Sequence, residues 1–222
     1  MAATAFILAA GLGTRLRPLT LSTPKPLLPV RGRPMLDHVL DLARRHGHDE
    51  VVVNAFWLPD QVQAWAQGKA GVRVVVEAPA VLGTGGGLRN AAPLLAERFV
   101  VLNGDILCDV DLSRLYALPN PAAMALRAQA QPRHTGIAWD RQRGQVTGIA
   151  GVVGNGDPAW HFTGVHVLNR ELLQAVPSGE QCIIRTVYKA LVPQGQVGAS
   201  LHTGAWADIG TPEEYAAAQG EP

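Results

Sequence analysis

Leu8-Ala9-Ala10-Gly11-Leu12-Gly13-Thr14-Arg15-Leu16-Arg17-Pro18-Leu19-Thr20-Leu21-Ser22-Thr23-Pro24-Lys25-Pro26 is the stretch on which the reading of this chain turns. The run Ala5-Phe6-Ile7-Leu8 ahead of it reads as a first buried strand, and Gly11 and Gly13 fall where the chain must turn. Glycine has no Cβ, so backbone N–H groups in such a turn can converge on an anion. Arg15 follows closely, and Pro24 and Pro26 predict an extended segment that presents Lys25 rigidly. A glycine loop, an arginine and a fixed lysine suit a triphosphate. The alternative is an ordinary strand-to-helix turn with solvated basic residues.

Spacing excludes two familiar phosphate loops. A Walker A loop ends in Lys-Ser or Lys-Thr, and neither pair occurs. A dinucleotide fingerprint needs a third glycine where Leu16 stands. The segment instead resembles the signature of the sugar-phosphate nucleotidylyltransferases: Leu-Ala-Ala-Gly-x-Gly-Thr-Arg-Leu, a polar loop, then Pro-Lys-Pro. The resemblance implies nucleotidyl transfer from a nucleoside triphosphate to a sugar 1-phosphate. It places Ala10, Gly11, Gly13 and Thr14 around the nucleotide and makes Arg15 and Lys25 catalytic.

Bulk properties agree with such an enzyme. The 222 residues are 47% hydrophobic and 17% charged, which is globular, and a net charge of +1 gives no field that would recruit nucleic acid. Cys108 and Cys182 lack metal-ligand spacing and are expected as small core residues in a reducing compartment. The seven histidines are scattered and form no zinc pattern. No leader pattern or long apolar run is evident, so a soluble, cytoplasmic protein without a membrane partner is expected.

Nearly continuous apolar runs at Thr4–Leu8, Glu50–Asn54, Val72–Glu77 and Phe99–Leu102 predict strands covered on both faces. Helical patterns alternate with them: one after Pro34, one from Pro59, and one over about Gly87–Glu97. This spacing predicts an α/β fold with a doubly wound, mostly parallel central sheet and helices on both faces. Beyond Asp111 the alternation weakens into Met124–Ala128, Gly136–Trp139, Val146–Ile149, His161–Leu168 and Val197–His202, a smaller mixed β part. Two helical stretches, near Arg170–Ala175 and Ile183–Leu191, and a final helix from Pro212 complete the pattern. We expect one domain over residues 1–222, with a nucleotide-binding half at 1–110 and a sugar-phosphate half at 111–222.

In open α/β sheets, ligands bind outside the carboxyl ends of the strands. Gly11 and Gly13, Asn54, Glu77 and Asn103-Gly104-Asp105 all fall at such ends. Asp105 suits Mg²⁺ held by carboxylate and phosphate oxygens, against the alternative of a turn aspartate or helix cap. The resemblance implies Asp105 and Asp208, the latter in Trp206-Ala-Asp-Ile-Gly-Thr-Pro212, as ligands for Mg²⁺, with Mn²⁺ as its substitute. Helix capping is the other reading of Asp208. The run Leu82-Gly83-Thr84-Gly85-Gly86-Gly87 leads toward a helix N-terminus that attracts phosphate. By resemblance, Gly83, Thr84 and Glu77 contact the nucleotide, the Glu77 carboxylate facing its base. Asn54, Gly85, Asn103, Thr163 and Gly164 then fall to the sugar, the last two in Phe162-Thr163-Gly164-Val165.

One departure stands out. Many relatives place a lysine for the sugar phosphate before that strand, and Val146–Pro158 contains none, leaving Lys25, Arg15 or Arg185 for the task. Val52–Leu58, the Thr84–Gly87 run and the missing lysine look most like uridylyltransferases acting on N-acetylmuramate 1-phosphate. Mannose- or heptose-1-phosphate guanylyltransferases are the near alternative. A non-catalytic nucleotide-sugar sensor, or cytidylyl transfer to phosphocholine, are rivals of other classes; the second would favour an aromatic cage.

Overall fold

The computed structural model describes residues 4–128 and 134–220. In chain order, β1 (Thr4–Leu8) leads through the signature loop to a short ribbon, β2 (Pro29–Val30) and β3 (Arg33–Pro34), and then to α1 (Met35–Arg45). β4 (Glu50–Ala55), α2 (Pro59–Ala66), β5 (Val72–Val76), α3 (Gly83–Ala91) and β6 (Arg98–Asn103) follow. Next come β7 (Ile106–Cys108), α4 (Leu112–Tyr116), β8 (Ala122–Ala128), β9 (Ile137–Asp140), β10 (Gln145–Ile149) and β11 (Trp160–Asn169). A π-helical turn (Ile184–Tyr188), α5 (Lys189–Leu191), β12 (Val197–Leu201), β13 (Trp206–Asp208) and α6 (Pro212–Ala218) end the chain.

Nine strands form one sheet in the order β5-β4-β1-β6-β11-β8-β12-β10-β9. β5, β4, β1 and β6 run parallel, each joined to the next in the chain by a helical crossover. β11 turns antiparallel to β6 and β8, while β8 and β12 are parallel again. The mixed β part is therefore a continuation of the same sheet, not a separate one. β13 pairs with β7 in a separate small ribbon just after β6.

Strand periodicity sorts the core onto two faces. Phe6, Val52 and Val101 point to one side, where Leu88 and Ala91 of α3 and Val187 and Tyr188 cover them. Ala5, Ile7, Val51, Val53, Val100 and Leu102 point to the other, against Leu36, Val39, Leu40 and Ala43 of α1 and Leu112 of α4. A third cluster, Leu16, Leu28, Val30, Met35, Ile209 and Ala218, joins the signature region to the C-terminal segment. α6 reinforces that join: Tyr215 Oη and Gln219 Nε2 each donate to the Pro29 carbonyl at 2.8 Å.

Four expectations need correction. β5 is not covered on both faces: it is the sheet edge, and Val76 is exposed. α3 starts at Gly83 rather than near Gly87, with Gly85, Gly86 and Gly87 buried inside it, and Pro93 sits in a 3-10 turn (Ala92–Leu94) after it. Pro24 is extended, but Lys25 opens a 3-10 turn, Lys25–Leu27, in place of an extended segment. Of the cysteines, Cys182 is exposed instead of lying in the core. Among the described residues, no helix is long and apolar enough to cross a membrane.

Candidate active site

The carboxyl ends of β1 and β6, the turn after β6 and the start of α3 enclose a cleft of about 230 Å³. Ala10, Gly11, Lys25, Asn54, Gly83, Thr84, Asn103 and Asp105 line it, together with Leu8, Ala9, Pro26 and Val81. Eight residues singled out in the sequence thus meet in one place, although they come from five separate segments.

The signature loop is shaped by its second glycine. Gly13 has φ +61°, and a Cβ there would stand 2.9 Å from Thr20 Cγ2 and 3.0 Å from Lys25 Cβ. Thr20 Oγ1 donates to the Gly13 carbonyl at 2.8 Å, folding the polar loop back onto the turn. Gly11 lines the cleft, and a Cβ there would meet nothing within 4 Å. Lys25 is nearly buried, and its Nζ forms an ion pair with the Asp105 carboxylate, which is more exposed. A cation and an acid therefore share the floor of the cleft.

Asp208 does not line the cleft but comes beside the turn after β6 from the far end of the chain. In the β7–β13 ribbon it lies opposite Ile106, the residue after Asp105, and the Ile209 N–H donates to the Asp105 carbonyl at 3.0 Å. Helix capping does not account for Asp208: Thr211 caps α6 in a capping box with Glu214. The exposed Arg15 guanidinium lies against Gly210, where a Cβ would come within 2.9 Å of its Nη2. Arg15, like Asp208, is not among the residues lining the cleft. Asp105 and Asp208 carry hard oxygen donors, the kind Mg²⁺ takes when water and substrate oxygens complete its shell. Among the described residues no group of three or more His, Cys, Asp or Glu could hold a metal.

On the opposite wall, Thr84 Oγ1 accepts from Ile183 N at 3.0 Å, and Gly85 N donates to the Gln181 carbonyl at 2.7 Å. Part of the α3 N-terminus is therefore taken up by the Gln181–Ile183 segment, and Gly83 and Thr84 are the part that faces the cleft. Sequence reasoning missed Gln181 and Ile183, since no local pattern announces a contact about a hundred residues away.

Other sequence-predicted residues are placed elsewhere. Glu77 does not face the cleft: its side chain is buried, Oε1 accepts from Asn54 Nδ2 and Oε2 from Leu82 N, both at 2.7 Å. Thr163 is fully buried and its hydroxyl donates to the Ala125 carbonyl at 2.9 Å, so its side chain turns away from any sugar. Its carbonyl accepts from Trp206 Nε1 at 2.9 Å, a link the sequence does not advertise. Gly164 runs beside Asn103, whose Nδ2 a Cβ would approach to 2.8 Å. Thr14 begins an exposed 3-10 turn outside the cleft lining, Gly85 is buried, and Arg185 is exposed on the π-helical turn. Behind β11, burial holds the His166 imidazole down to about 3 and raises the Tyr188 phenol, while His166 Nδ1 and Tyr188 Oη lie 2.7 Å apart.

Residues 4–221 match the family described as nucleotidyl transferase. The N-acetylmuramate alpha-1-phosphate uridylyltransferase of Neisseria meningitidis is 35% identical over 93% of both chains. The mannose-1-phosphate guanylyltransferase of Mycobacterium tuberculosis is 33% identical over 95% of this chain and 62% of its own length. Among solved structures, HddC from Yersinia pseudotuberculosis complexed with GMP-PN superposes with a TM-score of 0.79 at 24% identity, over 99% of this chain and 98% of that one. With the strand-end cleft in hand and the match running over nearly its whole length, the chain belongs to the nucleotidyl transferase family and is an enzyme of the sugar-1-phosphate nucleotidylyltransferase kind.

Proposed function

We propose that the chain transfers a uridylyl group from UTP to N-acetylmuramate 1-phosphate or a closely similar sugar phosphate, releasing pyrophosphate. The observation that carries this is the convergence of Gly11, Lys25, Thr84 and Asp105 on one cleft; the choice of uridylyl rests on the relative that matches over 93% of both chains.

An oxygen of the sugar phosphate attacks the α-phosphorus, and the bond to the bridging oxygen of the β-phosphate breaks. Each phosphate monoester carries about −1.5 to −2 charge near neutrality, so two anions must be brought together against repulsion. Positioning and charge neutralisation do most of the work in such a reaction, and no protein nucleophile is needed. In this reading the Gly11 backbone approaches the triphosphate and Lys25 binds oxygens of the α-phosphate and the incoming phosphate. Arg15 neutralises the departing pyrophosphate. Asn103 and the Gly164 backbone border the sugar. Asp105 and Asp208 would hold Mg²⁺, which supplies charge neutralisation on the phosphates.

A guanylyl-transferring reading is favoured by one specific observation, the 33% identity to a mannose-1-phosphate guanylyltransferase. Incubation with Mg²⁺, each of four nucleoside triphosphates and a panel of sugar 1-phosphates, with pyrophosphate release as the readout, decides between them. UTP with N-acetylmuramate 1-phosphate is expected to give the highest kcat/KM. Preference for GTP would select the second reading, and no turnover with any pair would overturn both.

A further inference from the structure

Beneath the cleft, three hydrogen bonds run in series. Ala9 N–H donates to Asn54 Oδ1, Asn54 Nδ2 donates to Glu77 Oε1, and Leu82 N–H donates to Glu77 Oε2, each at 2.7 Å. Ala9 opens the signature loop and Leu82 precedes α3, so the series joins the two walls of the cleft. Asn54 and Glu77 are each 2% exposed. Gly87 closes over them: a Cβ there would stand 2.6 Å from Glu77 Oε1 and 2.8 Å from Asn54 Nδ2. That approach leaves no room for water and explains a glycine in mid-helix, where it otherwise costs about 1 kcal/mol against alanine.

The series has a fixed polarity. A backbone N–H only donates, so the asparagine oxygen must face Ala9 and its amide nitrogen must face Glu77. A carboxylate accepts at both oxygens and so meets both Asn54 and Leu82. We infer that Asn54 and Glu77 are a positioning pair that sets the spacing between the signature loop and the start of α3, and that Glu77 acts on the nucleotide through this spacing and not by reading its base. The inference rests on the cleft being the nucleotide site.

Polarity makes the test specific. In Glu77→Gln the amide oxygen must serve Leu82 N–H, which leaves its NH₂ toward Asn54. Asn54 can turn its own oxygen to meet it only by aiming its NH₂ at Ala9 N–H. Either way two donors face each other in a buried place. Adding Asn54→Asp repairs the series: the new carboxylate accepts from both the Ala9 N–H and the substituted side chain's NH₂, and the pair keeps its single negative charge and its shape.

Kinetics, thermal unfolding and amide exchange on wild type, E77Q and N54D/E77Q test this together. E77Q is expected to raise KM for the triphosphate roughly tenfold, with the ranking of bases unchanged and KM for the sugar phosphate moved less, because a buried donor is left unmet. Exchange at the Ala9 and Leu82 amides should quicken. The double variant should return both readouts to within about threefold of wild type, a coupling a double-mutant cycle isolates. A changed base ranking in E77Q would overturn the inference, as would a double variant no better than E77Q. The exchange measurement needs no turnover, so it decides the coupling even if the proposed reaction itself proves wrong.

Discussion

Replacing Lys25 by methionine removes the charge at the floor of the cleft while keeping most of the stem that packs beside Gly13. The Lys25 side chain is 10% exposed and its partner Asp105 31%. With nearly a third of its surface in water, the Asp105 carboxylate can recover hydration, so losing the ion pair should cost about 1 kcal/mol or less. Lys-to-Met repacking of the stem should add no more than about 1 kcal/mol. Melting should therefore fall by only a few degrees, since roughly 2–4 °C per kcal/mol is usual for a chain this long. Catalysis should suffer far more. A preorganised charge donor aimed at developing charge is worth about 3 kcal/mol, which is roughly 150-fold in rate. Pyrophosphate release measured below the melting transition gives kcat/KM, and a calorimetric scan of the same samples gives stability. A Lys25→Met protein retaining kcat/KM within about threefold of wild type would refute the argument. So would an activity loss that tracks unfolding.

Three further outcomes are expected. Asp105→Asn and Asp208→Asn should each raise the Mg²⁺ concentration needed for half-maximal activity and lower turnover, with Mn²⁺ partly restoring it, and full activity in excess EDTA would exclude the metal role. His166 is kept neutral by burial down to about pH 3, whereas unfolded histidine titrates near 6.5; the unfolded chain then binds the extra proton, so stability should fall as pH drops from about 6.5 toward 3, by up to roughly 1.4 kcal/mol per pH unit. Urea melts across that range should show a shallower pH slope in His166→Phe, and an unchanged slope would show that His166 does not carry it. Burial pushes the Cys108 thiol up to about 11, while Cys182 is exposed, so brief iodoacetamide treatment of native protein near pH 8 should modify Cys182 alone by peptide mass mapping, and equal labelling would contradict the burial.

What the sequence makes legible is what local chemistry decides. The turn at Gly13, the lysine between prolines and the strand-end Asp105 are set by residues near them in the chain, and the sequence reading finds them all. The start of α3 escapes it because glycine reads as a breaker. Its helicity is imposed from outside, by the Gln181 carbonyl and by the Asn54–Glu77 surface that only a bare Cα can approach. Glu77 misleads for a related reason: a charged residue at a strand end suggests a ligand, while its true partner Asn54 sits on the neighbouring strand. In β11 the register shifts between Phe162 and His166, so alternation no longer tells which way Thr163 points. Cys182 falls outside the core because the segment from Gln181 leads into a π-helical turn whose inner side is taken by Val187 and Tyr188.

The clasp between α6 and the β2–β3 ribbon has a consequence for how the enzyme comes into being. Domains generally fold as units while the ribosome makes the chain at about 5–20 residues per second. Here the signature region packs with Ile209 and Ala218, and its Lys25 shares a cleft with Asp105, whose carbonyl accepts from the Ile209 N–H. From residue 25 to residue 209 is 184 residues, so the nascent loop waits roughly ten seconds or more for its foundation. Until then Leu16, Leu28, Val30 and Met35 lack the part of their small core that Ile209 and Ala218 supply. The signature loop is the first part of the cleft to be synthesised, and the core beneath it is among the last to be completed.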